Sequence, residues 1–244
     1  MISAPMLNVD SVSIHFGSVR ACDGIDLAIG AGEVVGIIGP NGSGKTTLLR
    51  GIAGHQRLTD GRVVFRGDDV TGHATDRLAR SGLVMTSQNQ MVFPGVRVDE
   101  ALELAKACSP RREHSARSVD AVELLRIESV LQVLVGELPL GRLRMVGIAL
   151  ALMAEPALLL LDEPGAGLND EESSVLADAI RNLCSSGITV GIVDHDMSLM
   201  TAICDRVYVL DAGQNLRSGR TGDVLSDPVV VAAYLGNPIE TSAS

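Results

Sequence analysis

Residues suited to binding a phosphate chain stand together in one stretch, Gly39-Pro40-Asn41-Gly42-Ser43-Gly44-Lys45-Thr46-Thr47. The stretch fits the pattern G-x-x-x-x-G-K-[ST]. Its glycines let the main chain curl around an anion and turn successive N–H groups toward it. Lys45 can then reach the β- and γ-phosphates, and Thr46 offers a hydroxyl to Mg²⁺. The stretch therefore predicts a phosphate-binding loop.

The elements on either side of this loop are those that it needs. Glu33 to Ile38 reads as a buried strand, and Thr46 to Ala53 reads as a helix. A loop between a strand and a helix places its ligand at the helix N-terminus, where the helix dipole contributes partial positive charge.

A second chemical centre is the run Ala157-Leu158-Leu159-Leu160-Leu161-Asp162-Glu163-Pro164. Its apolar residues predict a fully buried parallel strand that ends in two acids. Ligands of open α/β sheets bind outside the carboxyl ends of the strands, which is also the edge that presents the phosphate loop. Asp162 can hold Mg²⁺ directly or through water, and Glu163 can orient an attacking water or accept its proton.

Two further side chains have both a structural and a functional interpretation. His195 follows the apolar strand Ile188 to Val193. A single histidine at the end of a strand is usually structural. If this strand lies beside the Asp162 strand, however, contact between His195 and a γ-phosphate is favoured. Phe16 ends a predicted strand, where it is either a core residue or a face on which adenine stacks. The residues alone leave both alternatives for Phe16 open.

The rest of the chain predicts an α/β protein with two additions to the core. Alternating apolar and polar residues predict antiparallel strands at 7–16, 25–29 and 62–66, and a short strand follows at 83–85. The spacing from Val98 to Leu134 is helical, with a break at Ser109-Pro110, and predicts a separate helical lobe. Asn169 and Glu172 have the spacing of a capping box that begins a helix over 170–184.

Composition limits the classes of function. The 244 residues suit one large domain, and an aromatic content of 2% without tryptophan requires an aliphatic core. A net charge of -10 and a pI of about 4.9 argue against a nucleic-acid platform and weaken a case for direct binding to anionic lipid.

Hydropathy and cysteine spacing limit them further. Mean hydropathy is +0.27, but no apolar run approaches the ~20 residues of a spanning helix. The start of the chain has no pattern of an export signal. Four scattered cysteines without a C-x-x-C pair predict reduced core thiols.

With the phosphate loop, Gln88, the leucine-rich strand ending in Asp162-Glu163 and His195 in this order, the chain resembles an ABC-transporter ATPase subunit over nearly its whole length. The resemblance implies a P-loop NTPase core with an antiparallel β subdomain and an inserted helical subdomain. Four segments look more narrowly like the branched-chain amino-acid uptake group: Leu138-Pro139-Leu140-Gly141-Arg142, Asp162-Glu163-Pro164-Gly165-Ala166-Gly167-Leu168-Asn169, Val193-Asp194-His195-Asp196-Met197 and Ala233-Tyr234-Leu235-Gly236.

Carried over by position, the resemblance implies a role for each site residue. Phe16 is the adenine-stacking aromatic, and Gln88 is the residue that senses Mg²⁺ and the membrane partner. Glu163 is the catalytic base, Asn169 lies in the loop that faces a second subunit, and His195 is the γ-phosphate switch. Thr46, Gln88 and Asp162 are thereby the metal-site residues.

The resemblance also implies cofactors, partners and place. Residues 1–236 form one ABC ATPase domain, with a helical subdomain at about 89–155 that docks on a membrane subunit, and 237–244 form a flexible tail. The chain binds ATP and Mg²⁺, and it works with transmembrane permease subunits and a second ABC ATPase subunit. A solute-binding protein takes part indirectly. The expected location is cytoplasmic, peripheral on the inner face of the cell membrane.

The chain departs from the family where the signature Leu-Ser-Gly-Gly-Gln is expected. Pro139 has neither a hydroxyl nor an N–H to offer, and Leu140 replaces a glycine. The following helix, predicted over 143–153, has Gly147 and Leu150 where Glu and Arg are common. A proline at the second position is itself familiar in the branched-chain group. The departures suggest an asymmetric heterodimer, in which this chain's phosphate loop and Glu163 meet a partner's intact signature.

Two alternatives to a transport ATPase remain at this point. A degenerate subunit would bind ATP to clamp a partner and barely hydrolyse it; the eroded signature favours that hypothesis, and Glu163 and His195 disfavour it. An ABC-type ATPase acting on DNA or ribosomes would carry coiled-coil, zinc or basic insertions. The acidic charge and the short helical lobe disfavour this second alternative.

Overall fold

Two β-sheets organise the chain in a computed structural model, which describes residues 4–86, 94–109 and 120–235. The strands are β1 (Leu7–Phe16), β2 (Val19–Ile29), β3 (Val34–Ile38), β4 (Asp60–Phe65), β5 (Asp68–Asp69), β6 (Leu83–Met85), β7 (Leu158–Asp162), β8 (Thr189–Val193), β9 (Arg206–Asp211) and β10 (Gln214–Arg220).

Helices connect and cover these strands. They are α1 (Lys45–Ile52), α2 (Thr75–Ser81), α3 (Val98–Cys108), α4 (Ala121–Leu124), α5 (Leu140–Leu152), α6 (Asp170–Ser185), α7 (Met197–Ile203), α8 (Thr221–Leu225) and α9 (Pro228–Leu235), with short 3-10 turns at Glu128–Val130 and Val135–Glu137.

The larger sheet has the strand order β10-β9-β3-β8-β7-β6. Its pairs are parallel except for β10, which runs antiparallel to β9. Strands β3, β7 and β8 are buried along their whole length, as expected of parallel strands covered on both faces. Their carboxyl ends therefore lie side by side at one edge of the sheet.

Alternate residues of β7 belong to different hydrophobic cores. Leu159 and Leu161 pack in the core that includes helices α5, α6 and α7. Leu158 and Leu160 pack in the core shared with α1 and the smaller antiparallel sheet, whose order is β2-β1-β4-β5. This division follows from the two-residue period of a strand, and it holds the acidic end of β7 between two packed layers.

Polar contacts join the two sheets. The Asn215 side chain in β10 accepts a hydrogen bond from the Asp26 main-chain N–H at 2.8 Å and donates to its carbonyl at 3.1 Å. Arg206 in β9 pairs with the Glu33 carboxylate at 2.8 Å and donates to the Ala28 carbonyl at 2.8 Å. Both contacts bridge from the larger sheet to β2 or to the turn that follows it.

Most predicted elements are confirmed. The strands at 7–16 and 83–85 and the capping box at Asn169 and Glu172 are present. Strand β2 is longer than predicted because it begins at Val19 and pairs with β1 from the first residues after the turn.

Three expectations need correction. The first part of the helical stretch predicted from Val98 to Leu134 is confirmed as α3, which ends directly before the predicted break. The described residues beyond the break contain only α4 and one 3-10 turn, since much of their apolar spacing belongs to turns packed in the same core as α5. The helix predicted over 143–153 begins at Leu140, directly after Pro139. The thiols are free, but Cys108 is exposed and Cys184 only half-buried, so they are not all core residues.

No helix within the described ranges is long and apolar enough to cross a membrane.

The packing of β7 predicts a large stability effect at its centre. Leu160 is fully buried, so we expect Leu160→Ala to lower the free energy of unfolding by about 2–5 kcal/mol, through lost apolar burial and the cavity left behind. Chemical denaturation measures this loss. Leu104→Ala, at an exposed position of α3, is the control and should change stability by about 0.5 kcal/mol or less; equal losses in the two variants would contradict the packing described here.

Candidate functional site

The phosphate loop connects β3 to α1 through left-handed glycines. Gly42 has φ +82° and Gly44 has φ +98°, values that L side chains rarely adopt. Space is also limiting, because a Cβ at Gly39 would collide with the Leu210 carbonyl oxygen and one at Gly44 with the Ala21 carbonyl oxygen. Conformation requires glycine at 42, and both conformation and packing require it at 44, where the loop lies directly against neighbouring main chain.

The Lys45 ammonium group folds back over this loop. Its Nζ donates hydrogen bonds to the carbonyl oxygens of Gly39 and Pro40 at 2.8 and 2.9 Å. Burial lowers the pKa of Lys45, while the nearby carboxylates of Glu163 and Asp162 act in the opposite direction. A positive charge is therefore held at the mouth of the loop, next to the acids of β7.

One hydrogen bond joins the loop to the acidic end of β7. The Thr46 hydroxyl donates to Asp162 Oδ1 at 2.9 Å. Asp162 is buried, and its Oδ2 has no hydrogen-bond partner among the described residues. Burial raises the pKa of this carboxyl, an effect that the Thr46 hydrogen bond opposes.

The donor set of this site fits Mg²⁺. A threonine hydroxyl beside a carboxylate with an unsatisfied oxygen supplies hard oxygen ligands of the kind that Mg²⁺ takes. Within the ranges that the structure describes, no group of three or more His, Cys, Asp or Glu side chains could hold a metal ion by itself. The arrangement suits an ion that keeps several bound waters and takes its remaining ligands from phosphate oxygens, which is the usual mode for Mg²⁺.

Glu163 follows Asp162 in a left-handed conformation, with φ +49°. Its main-chain N–H donates to the Val193 carbonyl at 2.7 Å, and its carbonyl accepts from Arg144 Nη1 at 2.8 Å. Contacts from β8 and α5 therefore fix both sides of this peptide, while the side chain is only partly buried. The structure places Glu163 at the same sheet edge as Thr46 and Asp162, as the sequence predicts.

His195 stands at the end of β8, which lies between β3 and β7. Its side chain is 62% exposed, and its Nδ1 lies 3.7 Å from Asp194 Oδ1. The neighbouring strand predicted for it is confirmed, since β8 pairs with β7 along its length. An exposed imidazole on this edge is available to a ligand; its role as a phosphate contact stays a prediction.

Asp194 has a structural role in the site that the sequence analysis did not predict. It is fully buried, and its Oδ2 accepts the Gly165 N–H at 2.8 Å. Its Oδ1 accepts the N–H groups of His195 and Asp196 at 2.7 and 3.0 Å. Asp194 thus ties the loop after Glu163 to the loop that carries His195. The available signal was the acid at the end of an apolar strand, one residue before His195.

The signature segment caps the N-terminus of α5 without a polar side chain. Pro139 occupies the cap position, where no side-chain hydrogen bond is made, and Leu140 is 54% exposed. Arg142 turns toward the helical lobe, where its Nη1 donates to the Arg126 carbonyl at 2.7 Å. Gly141 is packed so closely against the Glu172 carboxylate that a Cβ would overlap it.

The remaining predicted residues are placed as follows. Asn169 begins α6 and exchanges hydrogen bonds with Glu172 at 2.9 and 3.1 Å. Phe16 is 49% exposed, so the core alternative is wrong and a stacking face is available. Gln88 lies outside the described residues.

Two further side chains contact the main chain of the phosphate loop. The buried Cys22 thiol donates to the Gly44 carbonyl at 3.5 Å, and burial raises the pKa of Cys22 to about 11. Burial also raises the pKa of Tyr234 in α9 to about 12, against the opposing effect of a hydrogen bond from the Gly39 main chain. Neither contact could be inferred from spacing, because both partners are distant in the chain.

Comparison with known proteins matches this chain to one family. Residues 22–166 fit a family model described as ABC transporter. The high-affinity branched-chain amino acid transport ATP-binding protein BraF of Pseudomonas aeruginosa is 32% identical over 256 residues, covering 96% of this chain and 99% of its own length. The probable branched-chain amino acid transport ATP-binding protein LivG of Methanocaldococcus jannaschii is 31% identical over 250 residues, covering 95% and 97%.

A third relative is longer than this chain. The methionine import ATP-binding protein MetN of Rhizobium johnstonii is 33% identical over 234 residues, which cover 93% of this chain and 64% of MetN. Among solved structures, an ATP-binding cassette of an ABC transporter in its ADP conformation aligns with a TM-score of 0.86 and 30% identity over 96% of this chain and 100% of that one. A nucleotide-free cassette aligns with a TM-score of 0.83 and 29% identity over 95% and 99%.

The position of Lys45 predicts that it contributes to nucleotide affinity. We expect Lys45→Ala to weaken binding of Mg-ATP by roughly tenfold or more, because a cation that faces phosphate oxygens in a partly buried site is lost. Equilibrium titration with ATP measures the change. Lys106→Ala removes the other lysine of the sequence, on an exposed part of α3, and should bind as the unmodified chain does. Unchanged affinity in Lys45→Ala would remove Lys45 from the site.

Proposed function

The chain belongs to the ABC transporter family, and from that premise we propose that it powers the import of a small polar solute by hydrolysing ATP. Binding and hydrolysis of ATP are the activities of ATP-binding subunits in this family. The finer assignment, to a branched-chain amino acid or a solute like it, is supported by the relatives LivG and BraF and by the signature segment that the chain shares with that group.

The observation that carries the proposal is the hydrogen bond between Thr46 and Asp162 at 2.9 Å. It brings the phosphate loop and the acid of β7 together around one point, at which Mg²⁺ bound with ATP would offset the charge of the phosphates. Thr46 and Asp162 are the residues that we propose to hold this ion. Gln88, the third predicted metal-site residue, remains a proposal on the resemblance alone.

The surrounding residues divide the remaining work. The N–H groups of the phosphate loop and the Lys45 ammonium bind and orient the phosphates, which is most of what phosphoryl transfer requires of a protein. Glu163 orients the attacking water, and His195 contributes a hydrogen bond to the terminal phosphate. Phe16 offers a half-exposed ring on which adenine stacks.

The partners follow from the same proposal. Two cassettes close on ATP, and permease subunits carry the solute across the membrane, so this chain works at the cytoplasmic face of that membrane through its partners. Asn169 lies in the segment proposed to face the second cassette. A solute-binding protein, which would set the specificity together with the permease, is the least direct of these partners.

The signature segment favours pairing with a different cassette. Where the family uses a serine hydroxyl and glycine N–H groups toward the nucleotide of the opposite subunit, the chain has Pro139 and the exposed side chain of Leu140. We propose that this signature builds the weaker site of the pair. The phosphate loop and Glu163 of this chain would then work opposite a partner's intact signature.

Glu163→Gln tests the base directly. We expect it to bind Mg-ATP within about threefold of the unmodified affinity and to lose roughly a hundredfold or more in turnover, because the amide cannot accept a proton from water. Steady-state phosphate release and an ATP titration give the two quantities. Glu128→Gln, the same change at an exposed position, should leave both unchanged, and normal turnover in Glu163→Gln would move the base elsewhere.

The mixed pair is tested by reconstitution. We expect hydrolysis by this chain alone to be roughly tenfold or more below that of an equimolar mixture with a cassette that carries the intact Leu-Ser-Gly-Gly-Gln signature, since a missing donor costs transition-state stabilisation. The rate per phosphate loop is the readout, with Glu163→Gln as the blank. Equal rates from the chain alone and from the mixture would contradict the asymmetric pair.

A further inference from the structure

Arg144 links the signature helix to the main chain of Glu163. It lies in α5, one helical turn beyond Gly141, and its Nη1 donates to the Glu163 carbonyl at 2.8 Å. Its Nε is buried and has no partner among the described residues. The guanidinium group therefore contacts the main chain of Glu163 directly, and through this hydrogen bond it can act on the orientation of Glu163.

The peptide that Arg144 contacts is one that needs support. Glu163 has φ +49°, and a residue other than glycine in this region is conformationally strained. The hydrogen bond from its N–H to Val193 holds one side of the residue at 2.7 Å. Arg144 holds the other side, so the two contacts together keep the side chain directed at the sheet edge.

No other charged side chain of α5 shares this task. Arg142 is occupied by the Arg126 carbonyl, Met145 is buried in the core, and Gly147 and Leu150 carry no charge. The helix thus has one charged contact with the loop that contains the acids of β7. Its loss could not be replaced by a neighbour on the same helix.

Close packing reinforces the link between α5 and this loop. Gly141 lies against the Glu172 carboxylate, and a Cβ at Gly167 would come within 2.8 Å of Leu140. The first turns of α5 and the segment 163–172 therefore pack as one unit. A displacement of the signature residues must carry the loop with it or break the contact at Arg144.

We propose that Arg144 is a positioning residue, which holds Glu163 in its left-handed conformation and couples the catalytic base to the signature helix of the same chain. The inference rests on the proposed function, in which the signature faces the partner's nucleotide and Glu163 acts on this chain's own. Under that arrangement, Arg144 transmits the engagement of one nucleotide site to the base of the other.

The test measures hydrolysis and binding separately in Arg144→Met, which keeps the length of the side chain and loses its donors. We expect kcat in the reconstituted pair to fall about tenfold or more, while ATP affinity changes by less than about threefold. Arg144→Lys retains a charged donor and should recover part of kcat. In the Glu163→Gln background, Arg144→Met should lower residual hydrolysis by less than about twofold, because a residue that acts through Glu163 has little left to act on.

A matched control separates this role from general stability. Arg181 in α6 also donates to a main-chain carbonyl, that of Ala202 at 2.9 Å, and Arg181→Met should leave kcat within about twofold of the unmodified value. Parallel losses of kcat, ATP affinity and melting temperature in Arg144→Met, with no recovery in Arg144→Lys, would overturn the inference. So would full activity in Arg144→Met or an unreduced effect in the Glu163→Gln background. Absent hydrolysis in the unmodified pair would instead overturn the proposed function.

Discussion

The hydrogen bond from Thr46 to Asp162 depends on the order of three strands. Strands β3 and β7 are not neighbours; β8 lies between them. The hydroxyl at the start of α1 therefore reaches across the end of β8 to the acid of β7, and Asp194 and His195 follow directly after that strand. Because parallel strands end at one edge of the sheet, three segments distant in sequence supply the phosphate loop, the acids and the histidine to the same edge.

The contacts that stabilise this sheet edge join residues far apart in the chain. For this reason the sequence predicted the local features of the site but not these contacts. The phosphate loop, the acidic strand and the capping box at Asn169 are local patterns, so their residues identify them. The bonds from Arg144 to Glu163 and from Asp194 to Gly165 depend on how helices and strands pack. No periodicity indicates which arginine of α5 turns toward the sheet edge and which turns away.

Exposure was the second quantity that spacing could not decide. Phe16 ends a strand whose alternation suits either a buried or an exposed side chain, and only the packed sheet shows that this residue is about half exposed. The helical lobe presents the converse case. Some of the apolar residues spaced three and four apart before α5, such as Ile127 and Val135, are buried although they lie in turns. The hydrophobic pattern there therefore indicates burial correctly but predicts more helix than is present.

The strained conformation of Glu163 brings these observations together. A left-handed residue is retained when surrounding contacts stabilise it, and here they come from two different elements, β8 through Val193 and α5 through Arg144. If Glu163 were held by β8 alone, its orientation would not depend on α5. Because one of its two restraints belongs to α5, the orientation of Glu163 depends on the position of that helix. In the proposed pair, closure on nucleotide would be a shift in population to which this orientation responds. Since α5 has Gly147 and Leu150 where charged residues are usual, this dependence relies on the guanidinium group of Arg144.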